Sequence, residues 1–222
     1  TTAKAKALLG RARQAMGGVA FDQVNDYTTV GEMKMTTPQG EFNIKMEATT
    51  NFTGKSLNKM QTPAGEMTFG FDGKVGWMRG PQGVGEMPAS MRSELDGTYF
   101  RDTISLLQNL DNPAYTVQAL GLAEVEGKKA EGVAVSDAAR KLQVKLWIDS
   151  ATGLLVKKAF SAAIMGAPGE VEEFLSDYRD TAGLKLAHKA TMNRDGKKFG
   201  EVSISEFKLN PGVDEAAYKK PQ

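Results

Sequence analysis

In successive segments from Tyr27 to Leu209 polar and apolar residues alternate with a period of two, with turns between the segments and a longer interruption between Gly80 and Asn112. A period of two sends neighbouring side chains to opposite faces of a strand, so each strand has one wet face and one dry face. The cleanest stretch is Glu41 to Thr49. Phe42, Ile44, Met46 and Ala48 fall on one face, and Glu41, Asn43, Lys45 and Glu47 on the other. The same reading gives strands over Tyr27–Thr36, Lys55–Gln61, the run carrying Met67, Phe69 and Phe71, and Lys74–Arg79. Beyond the interruption it gives Tyr115–Val125, Lys128–Val135, Leu142–Asp149, Leu154–Met165 (with Val156, Phe160, Ala162 and Ile164 on one side), Val171–Asp180, Leu184–Asp195 and Phe199–Leu209. Pro38-Gln39-Gly40, Pro63-Ala64-Gly65, Asp72-Gly73 and Asp195-Gly196 supply the turns.

Two helical segments break the meander. Ala3, Ala7, Leu8, Ala12, Ala15 and Met16 repeat at helical spacing, and Gly17-Gly18 stops them. After a loop over Gly80–Pro88, Ala89–Leu110 reads as a helix broken near Gly97, with Leu106, Leu107 and Leu110 as its apolar edge; Asn112-Pro113 ends it. The lack of βαβ alternation argues against a parallel sheet. The expectation is a mainly β chain, one curled antiparallel sheet of about 11 or 12 strands with helices covering the concave face, since a sheet this wide does not stay flat. A single domain over 1–222 follows: helix 3–16, strands 27–80, helical insert 89–110, strands 115–209 and a C-terminal turn 214–218.

Composition removes most chemistry. Cysteine is absent and histidine occurs once, at His188, which excludes disulfides, thiolate nucleophiles and HExxH or multi-histidine metal centres within the chain. Lys and Arg total 28 against 27 Asp and Glu, so there is no basic excess of the kind nucleic-acid binding draws on. No apolar run is long enough for a membrane-crossing helix. The threonine start suggests a mature or excised piece. Gly65 and Gly70 have phosphate-loop spacing, but Phe71 and Asp72 stand where Lys and Ser/Thr are needed. His188 shares a face with Leu184, Leu186, Ala190 and Met192 and reads as a core histidine. Glu170, Glu172, Glu173 and Asp177 read as a solvated strand face, and Asn193-Arg194-Asp195-Gly196 as a hairpin turn rather than a calcium loop. No catalytic residue, metal or cofactor is expected.

What remains is apolar. Met33, Met35, Met46, Met60, Met67, Met78 and Met192 fall in or beside strands. Methionine is unbranched at Cβ and flexible, a weak choice for a rigid β core and a good one for a surface that adapts to hydrocarbon. A curled sheet with such a lining suggests a half-barrel cavity for a hydrophobic ligand, and its expected lining is Phe42, Ile44, Met46, Met67, Phe69, Trp77, Leu146, Phe160 and Phe174.

Several motifs, in order, resemble the bacterial outer-membrane lipoprotein carrier fold (LolA/LolB-like). They are the helix ending Ala12-Arg13-Gln14-Ala15-Met16-Gly17-Gly18, the strand pair around Phe71-Asp72-Gly73-Lys74-Val75-Gly76-Trp77, the hairpin Leu146-Trp147-Ile148-Asp149 to Thr152-Gly153-Leu154-Leu155-Val156-Lys157, and Ser176-Asp177-Tyr178-Arg179 with Gly183-Leu184-Lys185. The resemblance implies a half-barrel of about 11 antiparallel strands with helices inside its concave side. It implies a periplasmic or envelope location and non-catalytic binding of an acyl chain or other hydrophobic small molecule. The chain is also similar to domains appended after insulinase-type zinc peptidases. That likeness implies an alternative role as an accessory C-terminal domain, with the catalytic domain and its zinc motif upstream.

Overall fold

The first strand of the chain lies near the middle of the sheet. The computed structural model describes residues 1–37, 40–164 and 167–221. After helix α1 (Thr2–Met16) and a 3-10 turn (Gly18–Gln23), the chain meanders outward through β1 (Asp26–Thr37), β2 (Gly40–Asn51), β3 (Lys55–Thr62), β4 (Gly65–Phe71), β5 (Gly76–Gly80) and β6 (Gly83–Glu86). It crosses to the far edge through α2 (Ala89–Arg101) and α3 (Thr103–Gln108). It then returns through β7 (Tyr115–Val125), β8 (Lys128–Asp137), β9 (Leu142–Asp149), β10 (Leu155–Ile164), β11 (Ala167–Thr181), β12 (Leu184–Arg194) and β13 (Lys197–Leu209). β13 pairs with β1, which closes the order β6-β5-β4-β3-β2-β1-β13-β12-β11-β10-β9-β8-β7 in a single antiparallel sheet of 13 strands.

This topology explains where the helices lie. Segment 87–114 must run from one edge of the sheet to the other. A flat sheet of this many strands is roughly 60 Å wide at about 4.8 Å per strand, close to the limit of a segment that is mostly helix at about 1.5 Å per residue. The sheet curls, and the crossing helices cover one face. α2 packs over β9 and β10, and α1 over β7, β8 and β12. Leu8, Leu9, Met16, Phe21, Phe100, Leu106 and Leu107 meet Val133, Val144, Leu146, Ile148, Leu155 and Leu184 in the main core. The end of α1 is locked by Gly17, at φ 148°; a Cβ there would meet Leu184 Cδ2 at 2.4 Å and the Gly183 carbonyl at 2.8 Å.

The expected mainly β, curled antiparallel architecture is the one observed, with several differences in detail. The glycine-rich stretch read as a loop contains β6, an edge strand held by backbone pairing with β5 and needing little side-chain packing. The long helix breaks at Asp102 rather than near Gly97; Gly97 is buried inside α2, where a Cβ would meet Arg101 Nη1 at 2.7 Å. Asp102 starts α3 by accepting the Ser105 N–H at 2.8 Å. α1 buries Ala5, Leu8, Leu9, Ala12 and Met16, so Ala3 and Ala7 face outward, while half-buried Ala15 packs at Gly153. A bulge between Leu155 and Lys157 turns Val156 away from Phe160 and Ala162. The expected turn residues Pro38 and Gln39, and the reach of β10 to Met165, lie outside the described residues.

Candidate functional site: the helix-bearing face of β1 to β5

Away from the bulges, register assigns the described strand residues to faces. Tyr27 marks the helix face, because its hydroxyl donates to the Asp102 carboxylate at the start of α3. From there the pairings Met67↔Met60, Met60↔Met46, Ile44↔Met33, Phe42↔Met35 and Phe69↔Met78 carry one apolar band across β5 to β1. Met33↔Val202 and Val202↔Ala190 continue it onto β13 and β12. Phe42, Met46, Met60, Met67, Phe69 and Met78 are half-buried, and Ile44 and Met35 are buried. Met33 Cε stands 3.1 Å from the point where Gly200 would carry a Cβ, so a methionine tail fills the notch that the glycine leaves.

The expected lining residues divide into three groups. Phe42, Ile44, Met46, Met67 and Phe69 lie together in this band. Leu146 and Phe160 lie on the same face but inside the main core under the helices. Trp77 and Phe174 point to the opposite, outer face. Trp77 pairs with Gly70 there, where any Cβ would strike the indole at 2.2 Å, and packs with Leu57 and Tyr218. Its Nε1 donates to the Tyr218 carbonyl at 2.7 Å, which ties the C-terminal segment across the sheet. Phe174 joins Trp147 in an outer cluster with Val125, Ala130 and Val156, and the Lys157 ammonium lies 4.8 Å from the Trp147 ring centre and 5.0 Å from that of Phe174.

The space under the helices is divided into small cavities. Three cavities against α2 and α3 measure about 250, 180 and 170 Å³, each below the roughly 300 Å³ at which small-molecule pockets begin. A larger recess, about 680 Å³, is an open trough on the outer face; Glu32, Lys45, Glu47, Lys59, Gln61 and Glu66 give it a polar, mixed-charge rim, and Met46 and Met60 also border it.

The helix face also carries a polar network that periodicity did not single out. Lys158, buried on β10, places Nζ 2.7 Å from Glu173 and 3.4 Å from the Arg101 carbonyl. Arg101 lies 4.5 Å over the Phe160 ring and 3.8 Å from Glu94. Burial lowers the Arg101 guanidinium, with Glu173 and Glu94 opposing. Burial also raises the Asp102 carboxyl above the usual carboxylate value, opposed by the Ser105 N–H, the Tyr27 hydroxyl and Lys158. Burial pushes the Tyr27 phenol well up, and Asp102 adds to it. The signal was present in part: Lys158 shares strand parity with Phe160 and Ala162, an unusual place for a lysine. The acidic run is not one solvated face, because Glu173 points to the helices and Glu172 pairs with Lys157 on the outer side.

His188 is buried. Its Nδ1 lies 2.8 Å from the Ile204 carbonyl, which requires the Nδ1–H tautomer and leaves Nε2 without a partner among the described residues. No acid or hydroxyl hydrogen-bonds this ring in the described residues, and no group of three or more His, Asp or Glu there is arranged to hold a metal. Among the described residues no helix is long and apolar enough to cross a membrane.

No protein-family model matches the sequence, and no curated protein matches it. Solved structures do match the fold. A putative outer membrane lipoprotein-sorting protein domain from Vibrio parahaemolyticus aligns with TM-score 0.63 and 14% identity over 98% of this chain and 97% of that one. A LolA superfamily protein from Nitrosomonas europaea aligns with TM-score 0.65 and 13% identity over 97% of each chain. A DUF1329 family protein from Desulfovibrio piger aligns with TM-score 0.63 and 11% identity, also over 97% of each. The chain therefore shares the LolA-like fold along almost its whole length.

Proposed function

We propose that this chain is a non-catalytic, single-domain binding module of the periplasm or cell envelope that holds a lipid or other apolar ligand on its helix-bearing face. The observation that carries the reading is the methionine and phenylalanine band of β1 to β5. It is half-buried, lies on the face where the helices sit, and is built from side chains that repack at low cost. Phe42, Ile44, Met46, Met67 and Phe69 are the contacts proposed for the ligand. Each would contribute through apolar area at roughly 25 cal/mol per Å². Leu146 and Phe160 would form the floor. Trp77 and Phe174, on the outer face, would act through stability. Since the cavities under the helices are small, the ligand would lie along the band or open it by side-chain movement. Likeness to a lipoprotein-sorting domain and to a LolA superfamily protein supports the reading.

Native mass spectrometry of gently purified protein, followed by titration of delipidated protein with a long-chain amphiphile, tests it. The expected result is saturable binding of about one ligand, lost in Met46→Glu and Met60→Glu. No retained amphiphile together with no saturable binding overturns it. The motif resemblance in the sequence favours a second reading, an accessory C-terminal domain of a zinc metallopeptidase. An HxxEH-bearing domain encoded immediately upstream is its expected mark.

A further inference from the structure

We propose that the ligand of this face is an acyl amphiphile with an anionic headgroup, held by Arg92 at one end of the methionine band. The inference rests on the binding reading above and names its ligand class. The cations on the helix face near α2 are not equivalent. Lys158 is matched by Glu173 at 2.7 Å and Arg101 by Glu94 at 3.8 Å. Arg92 is exposed and lies 5.3 Å over the Phe71 ring. Among the described residues it forms no ion pair; Asp96, one helical turn further along α2, does not reach it.

Phe71 is not an isolated ring. It shares a face of β4 with Phe69 and Met67, and Met67 leads by direct cross-strand pairing to Met60 and Met46. That track runs roughly 23 Å, counting about 3.4 Å per residue along β4 and about 4.8 Å per strand across it. An acyl chain laid along it with one end at Phe71 leaves its headgroup at the Arg92 guanidinium. Met91, exposed beside Arg92, and Met87, packed at Gly76, extend the apolar border at that end. A guanidinium stacked on an aromatic ring still presents its N–H donors outward, and these match carboxylate and phosphate oxygens equally well. The shared chemistry is thus an oxyanion on a hydrocarbon tail.

Calorimetric titration of the full chain with three amphiphiles of equal tail tests it: palmitate, palmitoyl lysophosphatidylglycerol and palmitoyl lysophosphatidylcholine, all below micelle-forming concentration. The expected result is at least one anionic probe binding about tenfold tighter than the zwitterionic one, equivalent to about 1.4 kcal/mol. The preference should weaken with added salt. Preference for palmitate alone identifies a carboxylate head, and for the phosphatidylglycerol alone a phosphate head; either supports the proposal. Arg92→Gln should bring the preference within about twofold, Arg92→Lys should restore part of it, and Arg79→Gln, on the outer face beside Glu66, should retain it in full. Equal binding of all three probes by the unaltered chain, or an undiminished preference in Arg92→Gln, overturns the headgroup assignment while leaving the binding reading intact. Binding of none of the three overturns both.

Discussion

The two halves of this sheet solve the same burial problem differently. β7 to β12 lie under α1, α2 and α3 and interlock branched and aromatic side chains there, with Val133, Val144, Leu146, Ile148, Leu155 and Leu184 wholly or almost wholly buried. β1 to β5 carry the methionine band on the same face and bury most of it only halfway. Their strongest anchor is on the other face, where Leu57 and Trp77 hold Tyr218. One half is fixed by helices on the inside, the other by the C-terminal segment on the outside. A half that is secured from behind leaves its front side chains half-exposed.

The contrast is broken most directly by truncation. Leu146→Ala removes a fully buried side chain between strands and helices, and should cost about 3–4 kcal/mol. Met60→Ala, in the band, should cost about 1 kcal/mol, because its surroundings close over the gap. Urea unfolding measures both; equal losses would mean that the band is packed as tightly as the core. Next in size is Trp77→Phe, which keeps much of the ring but leaves the buried Tyr218 carbonyl without its donor. The expected loss is about 1–3 kcal/mol, accompanied by faster proteolysis after Gly212. Unchanged proteolysis would show that the C-terminal segment is held by something other than the indole.

The same contrast marks what the sequence could tell. Alternation located the strands and the shared face of Phe42, Ile44 and Met46, because period two is a local property. It could not carry face identity around a turn. Trp77 points outward because the hairpin at Asp72-Gly73 pairs Phe69 with Met78 and Gly70 with Trp77. Phe174 points outward because β11 pairs it with Lys157. Val156 was misplaced by a bulge, which adds a residue without any local signal. Gly97 read as a break because glycine is a poor helix former, whereas here its missing Cβ admits Arg101. The buried pairs of Lys158 and Asp102 depend on contacts between residues distant in sequence, which composition does not record.

Met46→Leu, Met60→Leu and Met67→Leu combined should change stability by less than about 1.5 kcal/mol, since volume is conserved. The effect belongs in ligand range: a stiffer band should discriminate more sharply between straight and branched tails in the titrations above. An unchanged range would detach methionine flexibility from binding.

The smallest expected effect concerns the helix-covered half and its pH dependence. Burial raises the Asp102 carboxyl in the folded chain, so the native state holds that proton more tightly than the unfolded state. The resulting stabilisation is fully present below the ordinary carboxylate value of about 3.9 and is lost as pH rises through the raised one. Asp149 and Asp72, whose carboxyls are lowered chiefly by turn N–H donors, contribute in the opposite sense. A single stability curve therefore mixes the two. Asp102→Asn isolates the first: the amide oxygen still accepts from Ser105, nothing titrates, and the groups at Asp149 and Asp72 cancel between variant and parent. The urea midpoint of the parent should fall relative to the variant as pH rises from 3.5 toward neutrality. Parallel curves would show that Lys158 and the Tyr27 hydroxyl already offset the cost of the buried carboxylate, and the two halves would then differ in packing alone.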